Sequence, residues 1–176
     1  MASKDSFFIR VTKDLGNTNT FHEKSVDLGA YVDAMNETVL RIHNIAATFS
    51  DNTGRSTLIL AAGDSAAAQW QLTTQSQTDI VLAEDKSLIS NGRVIANAIG
   101  VTGPGVAPFL PADVSQDFDV SPQHWTNGYL VGTEQIYLGG AASTGWAGDQ
   151  YLSLVLECTV EKLTKGAAMA LALSQQ

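Results

Sequence analysis

Tyr151-Leu152-Ser153-Leu154-Val155-Leu156-Glu157-Cys158-Thr159-Val160-Glu161 is the stretch that decides the fold. Taken in steps of two, Leu152, Leu154, Leu156, Cys158 and Val160 fall on one face, and Tyr151, Ser153, Val155, Glu157, Thr159 and Glu161 on the other. Side chains alternate across a strand, whereas a helix would scatter those five apolar groups around its circumference. The segment therefore reads as a strand with one buried and one mostly wet face, the building unit of an antiparallel sandwich or barrel.

Outward from that anchor, the same period recurs. Near the start, Phe7, Ile9 and Val11 alternate with Phe8, Arg10 and Thr12. Residues 15–20 read as a turn and 20–28 as a more polar strand, with a helical turn expected over 30–36. Residues 38–49 form a long strand candidate. Asp51-Asn52-Thr53-Gly54 is a turn signal, and a strand over 57–61 predicts a hairpin across it. Ala68, Trp70, Leu72 and Thr74 alternate with polar partners, which places Trp70 in the core. After a short helical turn over 83–89, Asn91-Gly92 reads as a tight turn, with a strand over 93–99. Residues 113–127 read as a polar loop, 129–138 as one strand irregular at Gly132, and 139–149 as a loop of small residues holding Trp146. Beyond the anchor strand, Leu163, Ala167, Ala170 and Leu171 suit a short helix or ordered tail. The sum is an all-β fold, an antiparallel β-sandwich of about eight strands, a single jelly roll with a short C-terminal helix or tail, in one domain over 1–176.

Composition narrows the function. Only 16% of the 176 residues are charged, and the net charge is −8 with no cluster of Lys or Arg. A phosphate-binding surface needs concentrated positive charge, so direct nucleic-acid contact is not expected. Neutral surface is what a subunit packed against neighbours can carry. The single cysteine, Cys158, excludes an internal disulfide and sits on the apolar face, which makes it a core residue. No apolar leader follows Met1, and synthesis in the host cytoplasm is expected.

No signature of catalysis in the chain is complete. Gly63-Asp64-Ser65 matches the nucleophile block of one esterase family, but no Asp-x-x-His follows, so the serine lacks its base. His22, His43 and His124 lie far apart and show no metal-ligand spacing; His43, within a strand, reads as a hydrogen-bonded structural residue. Asp113, Asp117 and Asp119 offer carboxylates for calcium, weighed below a plain solvated loop because the glycine and glutamate of the helix–loop–helix calcium site are missing. No cofactor is expected and the chain does not read as an enzyme. Trp125 and Trp146, in loops, could stack on sugars, and a lectin-like or protein-binding β-sandwich module is the alternative reading.

The layout resembles the single jelly-roll capsid proteins of tailless icosahedral viruses with an internal membrane. The likeness is carried by Ser25-Val-Asp-Leu-Gly-Ala-Tyr-Val-Asp33 running into Val39-Leu-Arg-Ile-His-Asn44, by Glu134-Gln-Ile-Tyr-Leu-Gly-Gly140, and by the closing strand over 152–160. It implies a structural subunit of a virion that self-assembles into a shell. It also implies homo-oligomeric contacts, other capsid proteins as partners, and a genome kept at a distance by lipid or another layer. From the residues, the contact segments expected are 94–112, which contain no charged residue, and 166–176, with the N-terminal strand as a third. Phe7, Ile9, Val101, Val106, Phe109, Leu110, Met169, Leu171 and Leu173 are the contact candidates.

Overall fold

A computed structural model describes residues 5–33, 35–61, 63–98 and 113–176. Nine strands occur among them: β1 (Phe7–Asp14), β2 (His22–Asp27), β3 (Thr38–Ser50), β4 (Ser65–Thr73), β5 (Leu88–Asn97), β6 (Asp113–Val120), β7 (Tyr129–Val131), β8 (Gln135–Ala142) and β9 (Tyr151–Lys162). A 3-10 turn, Pro122–His124, precedes β7, and helix α1 (Lys165–Ser174) follows β9. The strands make two antiparallel sheets, ordered β1-β9-β3-β7 and β2-β8-β4-β5-β6.

That order is the winding of a jelly roll. The chain passes from one sheet to the other at β1→β2, β2→β3 and β3→β4, and again at each step from β6 to β9. The first strand lies beside the last and the second beside the last but one, as the double Greek key requires. Strand β6 is an addition at the outer edge of the five-stranded sheet.

The anchor strand takes its place at the centre of the first sheet. Leu152, Leu154, Leu156 and Cys158 are buried and face inward; β1 pairs on one side with Phe7 opposite Cys158, and β3 on the other with Leu40 opposite Val160. The opposing sheet supplies Ala66, Ala68, Trp70, Leu72, Val94, Ile136 and Leu138 to the same core. Trp70 fits because its neighbour across the ladder is Gly92: a Cβ there would lie 2.8 Å from the indole Nε1 and 2.7 Å from the carbonyl oxygen of Asp117.

Six local expectations are corrected. Residues 139–142 belong to strand β8, so the small-residue loop starts only after Ala142, and Val160, expected on the buried face, is exposed near the end of β9. Residues 57–61 form no strand and no hairpin with β3; only Ile59 makes an isolated bridge, to Trp146, because the chain here crosses between sheets. Asn91-Gly92 is not a turn but lies inside β5, at an irregularity of the β5–β6 ladder. Residues 113–120 are strand β6, not a loop. The single strand expected over 129–138 is two, β7 and β8, in different sheets, parted at Gly132.

Candidate subunit-contact surfaces

A sandwich can associate through open strand edges or through exposed side chains, and the edges here are blunted. An unpaired edge invites indiscriminate pairing unless it is short, charged or capped. Strand β7 is three residues long, and its Leu130 carbonyl accepts a bond from Gln175 Nε2 at 2.7 Å. On β1, the Thr12 carbonyl accepts from Lys24 Nζ at 3.2 Å. Strand β2 carries Glu23, Lys24 and Asp27 in six residues. Strand β6 exposes Asp117 and Asp119, the latter 2.6 Å from the guanidinium of Arg93.

The exposed large apolar side chains are unevenly placed. Strand register sets the start of β1 and β3, the ends of β2, β4 and β9, and the β7–β8 connection at one end of the sandwich. Phe8 on β1, Tyr31 and Met35 between β2 and β3, Leu82 between β4 and β5, and Met169 and Leu173 on α1 are all exposed, and all belong to elements at this end, whereas exposed Leu60, Ile95 and Val114 lie toward the opposite end. Met169 and Leu173, four apart, share one helix face.

Helix α1 is fixed to the body at that end. Thr164 caps its start, accepting a bond from the Ala167 N–H. Ala168 is fully buried. At the far end buried Gln175 ties three elements: its Oε1 accepts from the Gly132 N–H at 2.8 Å, its Nε2 donates to Leu130, and its carbonyl accepts from Thr74 Oγ1 at 2.7 Å. Gly132 lets the helix approach, since a Cβ there would lie 3.1 Å from Leu171 Cγ.

Of the contact candidates, Met169 and Leu173 are exposed on α1, while Leu171 is half-buried against Gly132. Phe7 and Ile9 are half-buried and pack on the core, Phe7 also stacking on Tyr31 at 4.7 Å between ring centroids. The outward residue between them, Phe8, is 54% exposed and was missed because it occupies the polar phase of the strand. Val101, Val106, Phe109 and Leu110 lie outside the described residues, as does most of the neutral segment 94–112.

Other singled-out residues have structural partners. His43 Nε2 lies 2.9 Å from Thr159 Oγ1, and Arg41 grips Glu161 with two bonds of 2.8 Å. Trp70 and Cys158 are core, as expected, and burial pushes the Cys158 thiol up to about 12. Trp146 is buried, with its Nε1 donating to the Ala67 carbonyl at 3.1 Å, so it offers no sugar platform; Trp125 is exposed. Among the described residues, no three His, Cys, Asp or Glu side chains gather as a metal-ligand set. No described helix is long and apolar enough to cross a membrane.

No protein-family model matches the chain, and no curated protein does. Among solved structures it is similar to the VP1 unassembled pentamer of Merkel cell polyomavirus, with 6% identity and a TM-score of 0.44 over 92% of this chain and 98% of that one. It is also similar to VP1 of trichodysplasia spinulosa-associated polyomavirus in complex with GM1 oligosaccharide, with 7% identity and a TM-score of 0.44 over 93% and 97%. At these values the fold rests on the strand order itself, and the likeness is no argument for a shared activity.

Proposed function

We propose that this chain is a structural subunit that self-assembles into a viral shell, making its contacts through side chains at the α1 end of the jelly roll. One observation carries the reading: four separate connections and termini place exposed Phe8, Tyr31, Met35, Leu82, Met169 and Leu173 at a single end. Exposed apolar surface concentrated in this way marks association, whereas scattered single residues do not. The blunted edges keep that association specific by leaving it to side-chain fit. The resemblance of the sequence to jelly-roll capsid proteins of internal-membrane viruses agrees with a low-charge surface and with the lack of any basic cluster. It makes a virion the proposed location, and further capsid proteins or a membrane the neighbouring layers.

Sedimentation velocity tests this. The Met169→Asp/Leu173→Asp variant keeps the helix anchor at Gln175 and should sediment as a smaller species than the unaltered chain. Equal sedimentation of the two would remove α1 from the contact surface.

A second reading, a lectin-like module, is favoured by one residue. Trp125, 54% exposed, follows the 3-10 turn and presents an indole that could stack on a sugar ring. Glycan-array binding lost in Trp125→Ala would support it.

A further inference from the structure

The loop that leads from the 3-10 turn into β7 carries an inference that stands whether or not the chain assembles. Two Asn-Gly pairs occur in the chain, Asn91-Gly92 and Asn127-Gly128. The side-chain amide carbon of an asparagine can close a five-membered ring with the backbone nitrogen of the next residue, and a glycine leaves that nitrogen unshielded. Asparagine is thermolabile for this reason. The fold treats the two pairs in opposite ways.

Asn91-Gly92 is locked. It lies inside β5, paired with β4 on one side and β6 on the other; Gly92 is buried, and Asn91 Oδ1 accepts from the Val120 N–H at 2.9 Å. Ring closure there requires the ladder to open. Asn127-Gly128 is presented. Asn127 is exposed, and the Gly128 N–H donates to the Trp125 carbonyl at 3.2 Å, a turn bond at the long end of the usual range. The Asn127 carbonyl accepts from Arg41 Nη1. That oxygen belongs to the same peptide group as the Gly128 nitrogen, so negative charge left by a departing proton spreads onto the atom that the guanidinium faces. A fixed donor placed where charge develops lowers the barrier. The fold also holds the glycine in place: Gly128 has a φ of 64°, and a Cβ there would overlap the Ile42 carbonyl oxygen.

We propose that Asn127 is a self-modification site, with water as its only co-reactant. The Gly128 nitrogen gives its proton to solvent and attacks Asn127 Cγ. The N–Cγ bond forms, the Cγ–Nδ2 bond breaks, and Nδ2 takes up a proton and leaves as ammonia. Water then opens the cyclic imide at one carbonyl or the other, giving aspartate or isoaspartate; nothing is oxidised or reduced. Either product adds one negative charge to a chain already at −8. Isoaspartate also lengthens the main chain by one carbon, just where Gly128 is seated against β3 and Tyr129 begins β7. The β7 flank is therefore the part of the fold that the modification disturbs.

The test incubates the intact, freshly purified chain at mildly alkaline pH in water enriched in heavy oxygen, folded in buffer and unfolded in guanidinium chloride. Mass spectrometry of peptides covering both pairs follows conversion, and the heavy oxygen marks what reacted before digestion. Breaking the Gly128–Trp125 bond slows the reaction about fivefold, and the Arg41 contact offsets part of that, so Asn127 should convert in the folded chain within about fivefold of its unfolded rate. Asn91 should convert readily when unfolded but more than about a thousandfold slower in the folded chain, where it reacts only through unfolding. In Asn127→Gln the label at this position should disappear, because the longer side chain closes its ring less readily. An Asn127 amide retained in the folded chain while the unfolded chain converts, or folded-state conversion of Asn91 as fast as that of Asn127, would overturn the proposal.

Discussion

The side-chain amide of Gln123 pairs with both backbone groups of Ile45: the Ile45 N–H donates to Oε1 at 3.3 Å, and Nε2 donates to the Ile45 carbonyl at 3.2 Å. The glutamine stands where β7 would have supplied its next residue, and the Ser121 hydroxyl donates to the same Oε1. Replacing Gln123 by Leu should cost about 1 kcal/mol, since part of the loss is recovered by water at this open flank. Urea unfolding measures it; an unchanged midpoint would mean that water serves Ile45 equally well.

Gln175 holds the α1 end together. Gln175→Ala removes acceptor and donor from the Gly132 N–H and the Leu130 carbonyl at a buried point. The local cost is about 2 kcal/mol. The expected outcome is faster tryptic cleavage at Lys162 or Lys165 while the β core stays folded. Cleavage at the unaltered rate would show that the helix is held by Ala168 and its apolar neighbours alone.

Gly92 is a packing requirement. In Gly92→Ala the new methyl must displace either the Trp70 indole or the Asp117 carbonyl. Overpacking of this kind costs about 1–3 kcal/mol. The measurement is the thermal midpoint together with the tryptophan emission spectrum; a neutral substitution would mean that β6 moves freely.

The anchor strand was legible because Leu152, Leu154, Leu156 and Cys158 all point one way and meet one core. Strand β6 was not, because Ser115, Asp117 and Asp119 are exposed turn-forming polar residues whose chemistry outweighs any alternation with Val114 and Gln116. Asn91-Gly92 carries a hairpin signal, yet its glycine serves the indole opposite it, a tertiary reason that no local window contains. The division of 129–138 between two sheets likewise depends on α1 packing at Gly132. Among contact candidates, Met169 and Leu173 were legible only as members of an apolar, low-charge segment, and the anchoring role of Gln175 has no signal in a polar C-terminal tripeptide.

Alkaline pH should weaken the fold through Cys158. Burial, reinforced by Glu157, raises its thiol from an ordinary value of 9.0 to about 12 in the folded chain. A raised folded value contributes stability that is complete below the unfolded value and is lost as pH rises through the window between them. Burial raises Tyr129 in the same direction. Thermal midpoints should therefore fall from about pH 9 upward, and Cys158→Val should flatten the slope. A slope identical in that variant would assign the effect elsewhere.

Light scattering of the purified chain, across protein concentration and salt, tests the central claim most directly. The account predicts defined multimers or shell-sized particles, persisting in salt because the contacts at Phe8, Met169 and Leu173 are apolar. A mass equal to that of one chain under every condition would contradict self-assembly.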